Sequence, residues 1–111
     1  MQNGLAYSAR DANAVSPGHT VVIPKRHVAS FFDLTADEIN ACMELITEER
    51  KLLDQEFKPD GYNIGVNIGS AAGQSILHAH IHIIPRYQGD VENPQGGVRH
   101  VIPRNAHYTR T

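Results

Sequence analysis

Short runs of alternating apolar and polar residues occupy most of this chain, and one long stretch changes to helical spacing. Alternation puts successive side chains on opposite faces of a strand. Leu5 to Arg10 reads as a first strand, with Leu5 and Tyr7 on one face. Val15-Ser16-Pro17-Gly18 reads as a turn, because Pro then Gly at its centre suits type II geometry. A second strand, His19 to Ile23, is ended by Pro24, and residues 25–32 read as a short helical turn or loop. Thr35-Ala36-Asp37-Glu38 is a capping box with acids at the positive end of the helix dipole. Ile39, Met43, Ile46, Leu53 and Phe57 then recur at helical spacing as a core-facing stripe. Leu45 and Leu52 fall off that stripe, as rim residues or a second buried surface, and Lys58-Pro59-Asp60-Gly61 stops the helix.

Beyond the helix the alternation returns. Tyr62, Ile64, Val66 and Ile68 take a core face, and Asn63, Gly65 and Asn67 the other. Residues 69–77 read as a loop, and His78 to Ile84 as the next strand. The pattern predicts an α+β fold, a curved antiparallel sheet of about five strands packed on one long helix, with one short helical turn. Residues 1–88 form the domain, and residues 89–111, with Gly96-Gly97 and mixed charge, form a C-terminal arm.

At 111 residues and 41% hydrophobic, the chain supports one modest core. A net charge of -2 gives no electrostatic case for nucleic acid or an anionic membrane. No apolar run is long enough to span a bilayer, and the first residues lack the features of a signal peptide. Cys42 is the only cysteine, which suits a reducing cytoplasm. Seven histidines are the one compositional oddity.

Three of them alternate: His78-Ala79-His80-Ile81-His82, preceded by Asn67-Ile68-Gly69-Ser70-Ala71-Ala72-Gly73-Gln74-Ser75. In an extended chain the three imidazoles line one face, while Ala79, Ile81 and Ile83 fill the other. A sheet face that merely holds histidines is the ordinary reading for a single ring, not for three beside a glycine loop. A metal centre is a second reading, since imidazole is a common ligand. Alternate positions lie ~6.5–7 Å apart along a strand, so His78 and His82 are ~13 Å apart. One ion at ~2.1 Å from each nitrogen does not easily hold all three, so no metal is assigned. The third reading is nucleophilic attack on phosphorus by His80, its tautomer set by a carbonyl. Its neighbours then order the ring or stabilise charge, and Gln74, Ser75 and loop amides donate to phosphate oxygens.

The segment resembles the histidine triad family, whose signature is His-x-His-x-His followed by two apolar residues. The similarity extends upstream to Asn67, Gly69, Gly73-Gln74-Ser75, and to Pro17-Gly18-His19 with Val21-Val22-Ile23-Pro24-Lys25-Arg26-His27. The resemblance implies a nucleotide hydrolase or transferase that forms a nucleotidyl-histidine, which water then releases. His80 looks like the nucleophile, His78 like the ring that orders the site together with His19, and His82 like the partner of phosphate and leaving group. Asn67, Gln74 and Ser75 fall where the family contacts phosphate and leaving group, and Asp11 where relatives hold the ribose hydroxyls. His27 reads as a surface residue.

Two branches of the family differ in leaving group: an amine must be protonated, whereas a polyphosphate leaves as a stabilised anion. Pro17-Gly18-His19, Ile84-Pro85-Arg86 and the tail from Gly96 to Pro103 look more like the branch that cleaves diadenosine tri- or tetraphosphate. The alternatives are an adenosine phosphoramidase and a nucleotide-binding module with little turnover. Arg86, Arg99 and Arg104 are candidates for the further phosphates, with solvated charge as the ordinary role. No cofactor is required, although a divalent cation can arrive with the polyphosphate. Many relatives bind zinc through an upstream Cys-x-x-Cys pair that is not in this sequence, and their N-terminal helix over the adenine also has no counterpart here. The resemblance further implies a homodimer joined through the long helix and a strand edge, with neither membrane nor nucleic acid as partner.

Overall fold

The capping box starts the helix as its spacing predicts. In the computed structural model, which describes residues 1–108, the Thr35 hydroxyl accepts from the Glu38 N–H at 3.1 Å. The Glu38 carboxylate in turn accepts from the Thr35 N–H at 2.8 Å. Helix α1 runs Ala36–Glu56. It ends where Lys58 adopts a left-handed φ of 51° and Pro59 bars continuation.

Strands β1 (Ala6–Arg10), β2 (Thr20–Pro24), β3 (Gly61–Gly65) and β4 (Ile81–Arg86) form one antiparallel sheet in the order β1-β2-β4-β3. The fold is α+β, with four strands among the described residues rather than about five. A single bridge between Gln2 and Tyr7 turns the N-terminus back on β1 without making a further strand. Short 3-10 turns lie at Phe31–Asp33, Ser70–Ala72, Gly97–Val101 and Pro103–Asn105. The expected arm is thus ordered coil punctuated by turns, and its last three residues lie outside the described residues.

Helix α1 packs over β1 and β2. The sheet presents Ala6, Val22, Ile81 and Ile83 to it, each almost fully buried. Ala6 and Ser8 of β1 are buried toward the helix, whereas Tyr7, and Leu5 just before the strand, are exposed. The buried stripe of α1 is Glu38, Ala41, Cys42, Leu45, Ile46, Glu49 and Leu53. Leu45 is therefore core and Met43 is 51% exposed, a rotation of the expected stripe. The cause is charge: Glu38 and Glu49 face inward to meet arginines from the sheet side. Arg26 donates to both oxygens of Glu38 at 2.8 and 3.0 Å, and Arg10 to both of Glu49 at 3.2 Å. These paired carboxylates occupy positions that apolar periodicity assigns to hydrophobic residues.

The core thins toward the β3 side, where Tyr62 and Val66 pack half-buried against it. Strand β3 stops at Gly65, before Val66 and Ile68, and Ile64 is 48% exposed although it pairs with the buried Ile83. Tyr62 reaches the helix with its hydroxyl, which donates to Asp54 at 2.6 Å. Gly18 needs its lack of a side chain twice over. Its φ is 86°, and a Cβ would come within 3.0 Å of the Phe57 ring.

Arg26, through its hydrogen bonds, and then the Thr35 N–H hold the Glu38 carboxyl down to about 2, against an ordinary 4.5. The folded value lies below the unfolded one, so ionised Glu38 stabilises the fold fully above about pH 4.5 and loses that effect as pH falls toward about 2. Urea unfolding across this window should show a shallower loss of stability for Glu38→Gln than for wild type. Parallel declines would remove Glu38 from the acid response.

Candidate active site

The register between β2 and β4 decides what surrounds the histidines. Val21 pairs with His82 and Thr20 with Ile83, so His82 shares its face with Val21 while Ile83 points to the core. The ladder begins only at Ile81, and residues 78–80 precede it, with a bend at His78. The alternation still holds: Ala79, Ile81 and Ile83 are buried, and His78, His80 and His82 are half-buried on the opposite face. The Ala79 N–H donates to the Val28 carbonyl at 2.7 Å, which ties the unladdered segment down.

Each ring has a partner that selects its tautomer. His80 Nδ1 lies 2.9 Å from the carbonyl of His78; a carbonyl only accepts, so Nδ1 carries the proton and the Nε2 lone pair faces outward. His78 Nε2 likewise donates to the Pro24 carbonyl at 2.9 Å, and its ring packs against exposed His27 at 4.7 Å between centroids.

His19 works the other way. Its Nδ1 accepts from the Val15 N–H at 3.1 Å, so its proton sits on Nε2. That Nε2 is 3.0 Å from His82 Nδ1, which must accept. His82 therefore presents Nε2–H outward. Two adjacent rings, 4.8 Å apart and edge-on, thus offer opposite functions, a lone pair on His80 and a donor on His82. His19 orders His82 directly, because the turn at 15–18 brings its ring alongside β4. Burial, then repulsion from His80 and His19 when those are protonated, holds His82 below the ordinary histidine value, against the opposing pull of Asp11.

Asp11 reaches this cluster, its Oδ2 being 3.5 Å from His19 Nε2. Asp11, His19 and His82 are the one group among the described residues whose donor atoms gather closely enough for a metal, within 4.8 Å. Their hydrogen bonds do not suit an ion. With Nδ1 already accepting from Val15, metal at His19 Nε2 demands an imidazolate.

The loop before the triad is held by Gln74. Its carboxamide oxygen accepts from the Gly69 N–H at 2.9 Å, and its nitrogen donates to the Ala29 and Ile76 carbonyls at 2.7 and 3.1 Å. Both Gln74 donor hydrogens are thus occupied by backbone, whereas Asn67 and Ser75 are exposed beside it. Gly69 and Gly73, at φ 87° and 91°, shape this turn. A cavity of about 270 Å³ next to His78 and His80 is lined by Tyr7, Asp11, Val21, Ile23 and Ile76. Ile76, 62% exposed, is a lining residue that no motif marks. Two of the three candidate arginines are engaged elsewhere. Arg86 donates to both oxygens of Asp90 at 2.8 and 2.9 Å and to Asn63 at 2.6 Å, which keeps the Asp90 carboxyl well below its usual range. Arg99 donates to the Asn105 and Ala106 carbonyls, and Arg104 is exposed.

In a titration followed through the ring NMR signals, His82 should show a midpoint below 6.5, and His19→Ala should raise it by removing the repulsion and the donor to Nδ1. A wild-type midpoint at or above 6.5 would contradict this electrostatic picture.

Comparison with known proteins meets this geometry. The model of the HIT domain matches residues 1–89. A 16.1 kDa HIT-like protein of Mycoplasma pneumoniae is 40% identical over 88 residues, which cover 78% of this chain and 60% of that protein. The asymmetrical bis(5'-nucleosyl)-tetraphosphatase of Schizosaccharomyces pombe is 37% identical over 76 residues, 68% of this chain and 42% of that one. A HIT family protein from Bacillus anthracis superposes with a TM-score of 0.77 at 33% identity, over 81% of this chain and 64% of that structure. The chain thus spans less than two thirds of the length of these curated relatives. Matched by the family model over most of its length and carrying the three alternating histidines on one sheet face, this chain belongs to the HIT domain family.

Proposed function

We propose that this protein is a nucleotide hydrolase that cleaves a dinucleoside polyphosphate, of the diadenosine tri- or tetraphosphate class, at an α-phosphate through a nucleotidyl adduct on His80. The observation that carries the reading is the tautomer pair: an outward lone pair on His80 Nε2 beside an outward N–H on His82. In the first half-reaction His80 Nε2 forms a bond to the α-phosphorus, and the bond from phosphorus to the bridging oxygen breaks. The electron pair leaves with the remaining polyphosphate. The ring becomes a phosphorylated imidazolium, and the His78 carbonyl that accepts its Nδ1–H stabilises that charge. The His82 donor serves the phosphate or the departing oxygen. In the second half-reaction water forms the new bond to phosphorus and gives up a proton to solvent, while the bond to His80 Nε2 breaks and the ring leaves neutral with its electron pair.

The charge state of His82 favours a polyphosphate leaving group over an amine. Held below its ordinary value, the ring is neutral near pH 7; it donates a hydrogen bond but carries no surplus proton for an amine. The cavity beside His78 and His80 is the proposed nucleoside site, with Asp11 at its edge for the ribose and with Asn67 and Ser75 toward the phosphates. A divalent cation accompanying the polyphosphate enters as part of the substrate. The relative named as a bis(5'-nucleosyl)-tetraphosphatase supports the substrate class. In the same reading the protein acts in the cytoplasm, where buried Cys42 stays reduced. It acts there as a homodimer that covers Met43 and Ile64, apolar residues left exposed on the helix and on the edge strand β3. Among the described residues no helix is long and apolar enough to cross a membrane.

Intact-protein mass after a brief acid quench with diadenosine tetraphosphate should show added AMP on wild type and none on His80→Ala. The variant should keep its fold and lose turnover on the order of 10³-fold or more. Retained turnover in His80→Ala would overturn the nucleophile assignment. Light scattering at micromolar concentration should give twice the 12.2 kDa of one chain, and a single-chain mass would sink the dimer.

A further inference from the structure

The face that carries the triad continues past His82, and a second cavity opens there. It measures about 430 Å³ and lies between the outer face of β3 and β4 and the C-terminal arm. On the sheet side it is lined by Ile84, Asn63 and Val15, and on the arm side by Val91, Pro94 and His100. Ile84 is two residues beyond His82 on the same strand face, roughly 6.5–7 Å along the chain. Gly65, paired across from His82, adds no side chain, and a Cβ there meets nothing within 4 Å. Nothing therefore fills the sheet surface beside His82 at that point. The first cavity lies at the other end of the triad, beside His78 and His80. The α-phosphate position at His80 and His82 is thus flanked by two cavities on one face.

The chemistry of the second cavity excludes some occupants. Its guanidinium, Arg86, is bound by both oxygens of Asp90 and by Asn63, so it offers no unpaired cation to a phosphate. A phosphate entering here meets the Asp90 carboxylate instead. Aliphatic side chains provide flat apolar walls, and the His100 ring stands among them with its Nε2 donating to the Gln95 carbonyl. The Asn63 Nδ2 has no partner among the described residues and faces the arm, where it lies 3.5 Å from the Cβ position of Gly97. Apolar walls, one free amide donor, no net charge and a volume in the usual range for a small-molecule site suit a planar, neutral heterocycle.

We infer that the cavity under the C-terminal arm binds the second nucleoside of the substrate, the one carried away with the leaving polyphosphate. The inference rests on the reading of His80 as the nucleotidyl acceptor, and it makes the arm a specificity element. Leaving groups that end in a nucleoside are favoured over bare polyphosphate chains, because the distal base gains apolar contact while a terminal phosphate gains none.

Two measurements on the whole chain test it. Titration with adenosine, a probe that cannot be hydrolysed, is followed through backbone amide signals. Saturable shifts are expected at two separate sets, Asp11 and Ile76 for the first cavity, Val91 and Gly97 for the second. Val91→Trp, which fills the second cavity, should remove the second set and leave the first. Val101→Trp, placed on the 79% exposed outer side of the arm, should change neither. In turnover, Val91→Trp should lower kcat/KM for diadenosine tetraphosphate roughly tenfold, the scale of losing one stacked base. It should leave adenosine 5'-tetraphosphate unchanged. Unmoved arm amides, or an equal loss on both substrates, would overturn the inference. Shifted arm amides in a protein that turns over neither substrate would uphold the second nucleoside site and refute the hydrolase reading.

Discussion

The pairing of β4 between β2 and β3 is the constraint on which the rest depends. Side chains in a strand alternate with a period of two, so a slip of one residue along β2 would send His80 and His82 into the core and Ile81 and Ile83 into water. Burial of Ile81 and Ile83 beneath the helix opposes such a slip. Fully burying a side chain of this size is worth about 1.5–3 kcal/mol. The same packing that holds the sheet to α1 therefore aims the imidazoles. The turn at Val15 to Gly18 secures the register from the other side, since Ser16 donates through its hydroxyl to the Pro85 carbonyl at 2.7 Å.

Hydrogen-bond partners then divide labour among rings that are chemically identical. His80 faces a carbonyl and must donate inward; His19 faces a backbone N–H and must accept inward, which passes a donor on to His82. Backbone geometry sets both choices. No strongly charged partner is needed, and a half-buried neutral ring avoids the desolvation cost that a protonated one meets. The arrangement suits attack on phosphorus: a free nitrogen lone pair stands beside a hydrogen-bond donor in a site with little competing charge.

Charge in this protein serves architecture. Arg10 with Glu49 and Arg26 with Glu38 fasten the helix over the sheet, and Arg86 with Asp90 fastens the start of the arm. Lone carboxylates at those helix positions would face a large desolvation penalty; with guanidinium partners they are tolerated and they orient the helix. The arginines one would first enlist for a polyphosphate are, apart from exposed Arg104, already bound within the protein. The helix lies mainly over β1 and β2, which leaves Ile64 of β3 partly in solvent and the opposite sheet face open to the arm.

Much of this was legible along the chain. A capping box announces α1 because its hydrogen bonds are local, and the period of two around His78 to Ile84 reveals which rings share a face. The glycine loop and the Pro17-Gly18 turn are likewise local in origin. What the chain order does not carry is the identity of partners distant in sequence. Leu45 rather than Met43 entered the core because Glu38 and Glu49 found arginines on the sheet side, a pairing no helical period encodes. His19 came to lie beside His82 because an antiparallel register sets which rows adjoin. Gln74 spends its donors on Ala29, far away in the chain, and the cavity under the arm exists only once residues 90–100 lie against Asn63 and Ile84. Local hydrogen bonds and periodicity are written into neighbouring residues; the tautomers, the charge pairs and the second cavity depend on contacts made when separate elements close on one another.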